Sequence, residues 1–146
     1  AASDVYKRQI LERSGVPVVP RPTVPAGTEL LLDGLIGYGL TGAPTGRVAD
    51  AIAAVAAAAC PVVSLDVPSG IDGTSGEAPG PHVTADTTVT LALVKTGLLT
   101  AHGRRAAGTL LLADIGVPPS LYAAMGRPDA AVPFFGRADI VMVPDA

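Results

Sequence analysis

Cysteine, tryptophan and clustered charge are what this chain lacks, and each absence closes off a class of protein. A single cysteine, Cys60, stands in 146 residues, so no intrachain disulfide can form. It lies between an alanine run and a β-rich stretch, where a small buried hydrophobe is the expected role rather than a nucleophile. His82 and His102 have neither a second cysteine nor metal-ligand spacing beside them, which argues against zinc, and both are expected in surface loops. Lysine and arginine are scattered singly and the formal net charge is −3, so no basic stripe exists for a nucleic-acid backbone to follow. No apolar run is long enough to span a bilayer, and none follows a basic start as in a secretory leader. A mildly acidic cytoplasmic protein, binding neither nucleic acid nor membrane, is the expectation.

Aromatic residues are also scarce, at 3% against 49% apolar, so any core is built from Ala, Val, Leu and Ile. Small side chains of this kind suit tight helix-on-sheet packing in an α/β protein, and the length suits one domain. Residues 1–9 are polar and patternless and are expected to be extraneous, with the domain over 10–118. From 119 to 146 the pattern weakens to a tail or the start of a linker to a following domain. Within it, residues 125–135 read as linker and 140–143 as the beginning of one more strand.

Between these ends the chain alternates strand and helix. Residues 29–33 form an apolar run that stops at Asp33 and spaced glycines, as a buried parallel strand does. Residues 47–59 place Val48, Ile52, Val55 and Ala59 on one helical face, with Thr45 as the N-cap and Pro61 as the stop. Residues 61–66 are a second buried strand that ends in Asp66. Strand, helix and strand in one window make a βαβ unit with parallel, right-handed pairing. Residues 68–81 form a long Gly/Pro/Ser loop, 87–93 and 109–113 are strand-like, and Asp114 ends the latter.

Ligands in open α/β sheets bind outside the carboxyl ends of the strands. Asp33, Asp66, the Gly37-Tyr38-Gly39 loop and Ser69-Gly70 should therefore converge on one crevice, where glycines let backbone N–H groups approach a ligand closely. Each feature has a plainer reading. A strand-terminal Asp often makes an Asx-turn, Gly-x-Gly often only turns the chain, Tyr38 can simply cover a strand end, and Lys95 is by itself a solvated side chain. Two acids at equivalent topological positions lift the set above those readings.

These residues carry a resemblance. Asp33-Gly34-Leu35-Ile36-Gly37-Tyr38-Gly39-Leu40-Thr41-Gly42 resembles the D-A-x-x-G-x-G-x-x-G segment of the YjeF N-terminal domain, the NAD(P)H-hydrate epimerase family. Asp66-Val67-Pro68-Ser69-Gly70-Ile71-Asp72-Gly73 is similar to its D-[IV]-P-S-G-[LI]-[DN] motif, and Ala85-Asp86, Lys95-Thr96-Gly97-Leu98 and Ala113-Asp114-Ile115-Gly116 follow in the family's order. The resemblance covers roughly residues 30–118 and implies a Rossmann-like three-layer αβα sandwich with a mostly parallel sheet. It implies an isomerase that interconverts the R and S forms of hydrated NADH and NADPH (NADHX and NADPHX) by acid/base chemistry at C6 of the nicotinamide ring.

By the same resemblance Asp66 is the acid/base and substrate-contacting group and Lys95 its second member. Gly37, Tyr38, Gly39, Leu40, Thr41, Gly42 and Ala43 form the substrate loop, and Asp33 and Ser69 help to hold one potassium ion. Fusion to, or cooperation with, an ADP- or ATP-dependent dehydratase is implied, and a homodimer is among the assemblies allowed. A non-catalytic ligand-binding or scaffold module on the same fold is the alternative, disfavoured because Asp33, Asp66, Ser69 and Lys95 are all present. The family's Gly/Asn-rich phosphate loop is not found, and residues 90–95 lack the Phe and Pro usual before its Lys. The chain is therefore expected to be the C-terminal part of such a domain, truncated at its N-terminus and exposing apolar sheet edge and face.

Overall fold

The computed structural model describes residues 2–126 and 138–144. Its first element, helix α1 (Ala2–Arg13), occupies the stretch expected to be patternless. The helix carries no buried stripe: residues 5–13 are all exposed, and Arg8 Nε meets Glu12 Oε1 at 2.8 Å one turn on. Such an exposed pair contributes about 0.3–0.5 kcal/mol. Helicity without an apolar face leaves no periodic signal to read.

Among the described residues, five strands follow in chain order across one sheet: β1 (Leu31–Asp33), β2 (Val62–Leu65), β3 (Thr87–Leu91), β4 (Thr109–Ala113) and β5 (Ile140–Met142). The first four run parallel, and β5 returns antiparallel on β4. The continuous apolar runs thus form the strands expected, 109–113 at its expected bounds and the other three trimmed at one or both ends, and 140–142 is a strand as well. Helix α2 (Gly46–Ala56) links β1 to β2, starting at Thr45 as expected, although the Thr45 hydroxyl makes no capping bond. Two further helices, α3 (Ala101–Ala107) and α4 (Pro119–Ala124), were not legible in the sequence. Most of the expected 125–135 linker lies outside the described residues.

Register assigns the sheet's two faces. Leu31, Val62, Ser64, Thr88, Leu110 and Leu112 share one face through their strand pairings. Against it α2 sets Ile52 beside Val62, Val83 and Ala85, while α3 sets Ala106 and Ala107 beside Val67, Ile71, Leu98, Leu110 and Leu112. Alanines let α3 approach closely enough that the Thr88 hydroxyl donates to the Ala107 carbonyl at 2.8 Å. Residues on the opposite face are open: Leu32 is 70% exposed, Leu65 43% and Met142 68%. Among the described strand residues there, Ala113 alone is buried. The fold is the expected mostly parallel α/β Rossmann-like sheet, and α2 and α3 both lie on one side of it.

The two faces predict opposite responses to truncation. Ile52→Ala should lower stability to urea by roughly 2–5 kcal/mol, because it empties a filled core position. Leu32→Ser should stay within about 0.5 kcal/mol of the parent, as surface changes do. Equal losses at both positions would show that the second face is covered in solution.

Candidate functional site at the carboxyl ends of the strands

Asp33 ends β1 with its side chain on the covered face, only 2% exposed. A carboxylate buried this deeply needs donors, and the sequence supplies them from the next strand and loop. Ser64 Oγ donates to Oδ2 at 2.8 Å and Ser69 N to the same oxygen at 2.9 Å. Ser69 Oγ donates to Oδ1 at 2.5 Å, and Leu35 N reaches Oδ1 at 3.3 Å in an Asx-type turn. Ser69 Oγ in turn accepts from Ile36 N at 2.9 Å. The two residues expected to act together do meet, and they bolt the β1 loop to the β2 loop.

The β2 loop is not the loose connection its composition suggests. Val67, Ser69 and Ile71 are fully buried, and Val67 and Ile71 belong to the core. Gly70 makes this possible: it sits at φ +95, and a Cβ there would collide with the Pro81 carbonyl and the His82 backbone.

Asp66 stands between β2 and this loop at φ +73, a conformation that side chains other than glycine rarely take. Its carboxylate accepts from Tyr38 N and from Leu91 N, each at 3.4 Å, and forms an ion pair with Lys95 Nζ. Lys95 Nζ also donates to the Leu91 carbonyl at 2.8 Å. Side chains of the pair are 14% exposed for Lys95 and 19% for Asp66, so both are largely shielded yet reachable. Lys95, read from sequence as the weaker assignment, is thus in direct contact with the stronger one. Gly37 lies against Asp66 as well: a Cβ on it would come 3.2 Å from Oδ2.

From Gly39 to Ala43 the loop lines a concavity of about 240 Å³ with Ile36, Pro44, Thr45 and Val48. Tyr38 is 60% exposed, its hydroxyl 3.3 Å from Thr74 Oγ1, so it reaches across to the β2 loop rather than merely covering its own strand. A larger concavity of about 620 Å³ lies between residues 23–28 and 57–60, including Cys60. These residues precede β1 and β2, so that cavity is at the amino ends of the strands, away from every acid and base described above.

Three placements were not legible. His102 lies in α3 rather than a loop, bonded through Nδ1 to the Gly76 carbonyl at 2.7 Å, and its ring meets His82 edge-on at 5.6 Å. Both histidines are half-buried. Asp72 closes the turn after Ile71 by accepting from Thr74 N at 2.9 Å and Ser75 N at 2.7 Å. Those backbone N–H groups, and then the Ser75 hydroxyl, hold the Asp72 carboxyl below its ordinary range. A depressed folded-state value stabilises above the unfolded one and is lost as pH falls through the folded one. Asp86 accepts from Val62 N at 2.8 Å and so pins the amino end of β2.

A potassium ion asks for several hard oxygens. Asp33 and Ser69 are right in kind, but a carboxylate has about four acceptor sites, and Asp33 already takes bonds from Ser64, Leu35 and twice from Ser69. Among the described residues no group of three or more His, Cys, Asp or Glu could hold a metal. These two residues alone do not make a cage. No helix among the described residues is long and apolar enough to cross a membrane.

The buried network gives a direct prediction. Asp33→Ala should destabilise by about 2–4 kcal/mol, since charged hydrogen bonds contribute about 1.5–3 kcal/mol each and the stranded serine donors add a penalty. Asp33→Asn should recover part of that loss in the same denaturation experiment, and an unchanged midpoint for Asp33→Ala would refute the bolt.

Ligand sites at the carboxyl ends of parallel strands are a property of the Rossmann-like α/β proteins, and this chain is one of them. More narrowly, it belongs to the family described as YjeF-related protein N-terminus, whose profile matches residues 4–97. That match begins within α1, the segment set aside on its sequence. A protein of Dehalogenimonas lykanthroporepellens named NAD(P)H-hydrate epimerase is 44% identical over 135 residues, which are 90% of this chain and 54% of the relative. One of the same name from Levilactobacillus brevis is 49% identical over 88 residues, 60% of this chain and 41% of the relative. The bifunctional NAD(P)H-hydrate repair enzyme Nnr of Hyperthermus butylicus is 39% identical over 112 residues, 77% of this chain and 20% of the relative. The chain spans about half the length of the first of these and less of the others.

Proposed function

We propose that this chain carries the acid/base half of an epimerase acting on hydrated NADH and NADPH. The observation that supports this most is the shielded Asp66–Lys95 ion pair, set at the ends of adjacent parallel strands and beside the Gly37–Tyr38 backbone. Relatives named NAD(P)H-hydrate epimerase support the substrate.

C6 of the hydrated ring is a hemiaminal carbon, bonded to both the ring nitrogen and the hydroxyl. Its C–O bond can break once the oxygen is protonated, leaving water and an iminium-like cation stabilised by the nitrogen lone pair. Asp66 and Lys95 act as one unit on this path. The pair delivers the proton to the departing oxygen, and the Asp66 carboxylate offsets the positive charge that develops on the ring. Water then adds to the opposite face and returns a proton to the pair, so no atom is gained or lost. General acid/base assistance of this kind contributes about 10²–10⁴ in rate.

Gly37 to Ala43 would hold the ring and its neighbours over the pair. One potassium ion belongs to the same reading; Asp33 and Ser69 would reach it only by exchanging some of the bonds they make to each other and to Ser64, with further oxygens from elsewhere, and no step runs through it. Relatives named bifunctional NAD(P)H-hydrate repair enzymes support a second repair activity joined to this one; an ADP- or ATP-dependent dehydratase in a cytoplasmic setting belongs to the same proposal.

Interconversion of the R and S forms is followed by chiral HPLC, with the chain produced alone and with its flanking coding sequence. Asp66→Asn should abolish it and Lys95→Met should lower it at least 100-fold, within the range given for general acid/base loss. Retention of the parent rate by Asp66→Asn would refute the assignment. Binding without turnover in the parent would favour the non-catalytic module. Replacing K⁺ by Na⁺ in the buffer should slow the parent, and an unchanged rate would remove the ion from this reading.

A further inference from the structure

We propose that Asp72 is a positioning residue for the Asp66–Lys95 pair, acting through the turn it closes over residues 72–77. The inference rests on the acid/base reading of that pair. Asp72 Oδ1 accepts from Thr74 N, Ser75 N and Ser75 Oγ at 2.9, 2.7 and 3.1 Å. Its backbone completes the ring, with Asp72 N donating to the Glu77 carbonyl and Gly76 N to the Asp72 carbonyl, both at 2.8 Å.

Closed in this way, the turn offers its carbonyls outward, and they bind the segment that bears Lys95. Gly97 N donates to the Gly73 carbonyl at 2.9 Å, and Thr96 Oγ1 donates to the Thr74 carbonyl at 3.0 Å. The fit leaves no slack: a Cβ at Gly97 would lie 2.5 Å from the Asp72 carbonyl oxygen and 2.6 Å from Gly76 N. The two residues after Lys95 are therefore clamped to the turn.

The same turn meets the substrate loop on its other side. Thr74 Oγ1 is 3.3 Å from the Tyr38 hydroxyl, and a Cβ at Gly73 would lie 2.7 Å from the Tyr38 ring and 3.5 Å from Lys95 Cγ. One short turn thus abuts the stem of Lys95 and the ring of Tyr38, the two residues whose ammonium and backbone N–H meet Asp66. Lysine has a long flexible stem, so a carboxylate at one end does not by itself fix where the ammonium points. A backbone held next to Lys95 removes much of that freedom, and Asp72 holds the backbone. Asp72 itself touches neither Asp66 nor Lys95 in any hydrogen bond given above, which is why its role is positioning rather than acid/base work.

The test compares Asp72→Ala with Asp72→Asn, which keeps an Oδ1 acceptor for the three donors. Epimerisation kinetics and the Lys95 ε-methylene NMR signal, assigned by its loss in Lys95→Arg, are both read. Asp72→Ala should lower kcat about 10–100-fold with a smaller change in KM, the cost expected of a displacement near 1 Å. Its Lys95 signal should collapse towards that of a freely rotating lysine, and Asp72→Asn should restore both. An Asp72→Ala protein with the parent's kcat and Lys95 signal would overturn the proposal. So would equal losses in the Ala and Asn variants, since the acceptor would then be irrelevant. Should Asp72→Ala not fold, Thr96→Val breaks the clamp from the other side, and an unmoved Lys95 signal there would also overturn it. A parent chain without epimerase activity whose Lys95 signal still answers to Asp72 would count against the proposed function and leave the positioning role standing.

Discussion

A buried carboxylate with nowhere else to go organises this structure. Asp33 is nearly inaccessible, and its oxygens are satisfied only if Ser64 and the Ser69 backbone and hydroxyl come to it. An unpaired charge at such depth would cost several kcal/mol, so the chain after β2 cannot leave the sheet freely. It must turn at once and bring Ser69 back beneath β1. Asp66, the residue at the turn, takes up the left-handed backbone. Its side chain is then directed to Tyr38 N on one side and Lys95 on the other. The candidate acid/base pair follows from the bolt that Asp33 forms.

Much of that arrangement was legible because it is local. Runs such as Leu30-Leu31-Leu32-Asp33 and Val62-Val63-Ser64-Leu65-Asp66 announce buried parallel strands, and the acids at their ends fall where open sheets bind ligands. The meeting of Asp66 with Lys95 was not legible from pattern. It spans two loops and β3, and nothing in the spacing of a single lysine reveals it. The same holds for α3, whose His102 read as loop. Gly103 is there because a Cβ would strike the Gly97 carbonyl, a contact that only the folded chain reveals. In α1 the failure has the opposite cause: an exposed polar helix buries nothing, so it leaves no periodicity behind.

Composition explains the one-sided sheet. Alanines at 106 and 107 and glycine at 103 let α3 lie flat on Leu110 and Leu112, and the scarcity of aromatics is the mark of that close contact. Leu32, Leu65 and Met142 are as apolar as the covered face and remain open among the described residues. An apolar face of this size is expensive to leave in water. The expectation of exposed sheet edge and face is met by these residues.

Strain is placed at the candidate acid/base pair. Among the described residues, two other than glycine have positive φ, Asp66 at 73 and Ala92 at 63, and they follow the adjacent strands β2 and β3. Such a conformation costs on the order of 1–3 kcal/mol per residue and persists only where the surroundings over-determine it. For Ala92 the surroundings are visible: its N–H donates to Ala113 and its carbonyl accepts from Tyr122 Oη at 3.3 Å, the α4 residue buried at that end of the sheet. At Asp66 a glycine would relieve the backbone and remove the carboxylate. Keeping a side chain in that conformation is sensible only if the carboxylate is needed at this place, and the pairing with Lys95 is what it does there. Ala92, between Leu91 and Lys95, bends the chain so that the lysine returns over the Leu91 carbonyl. Both strained residues thus serve one contact, and that concentration of strain is what favours it over the larger cavity at the other end of the sheet as the candidate site.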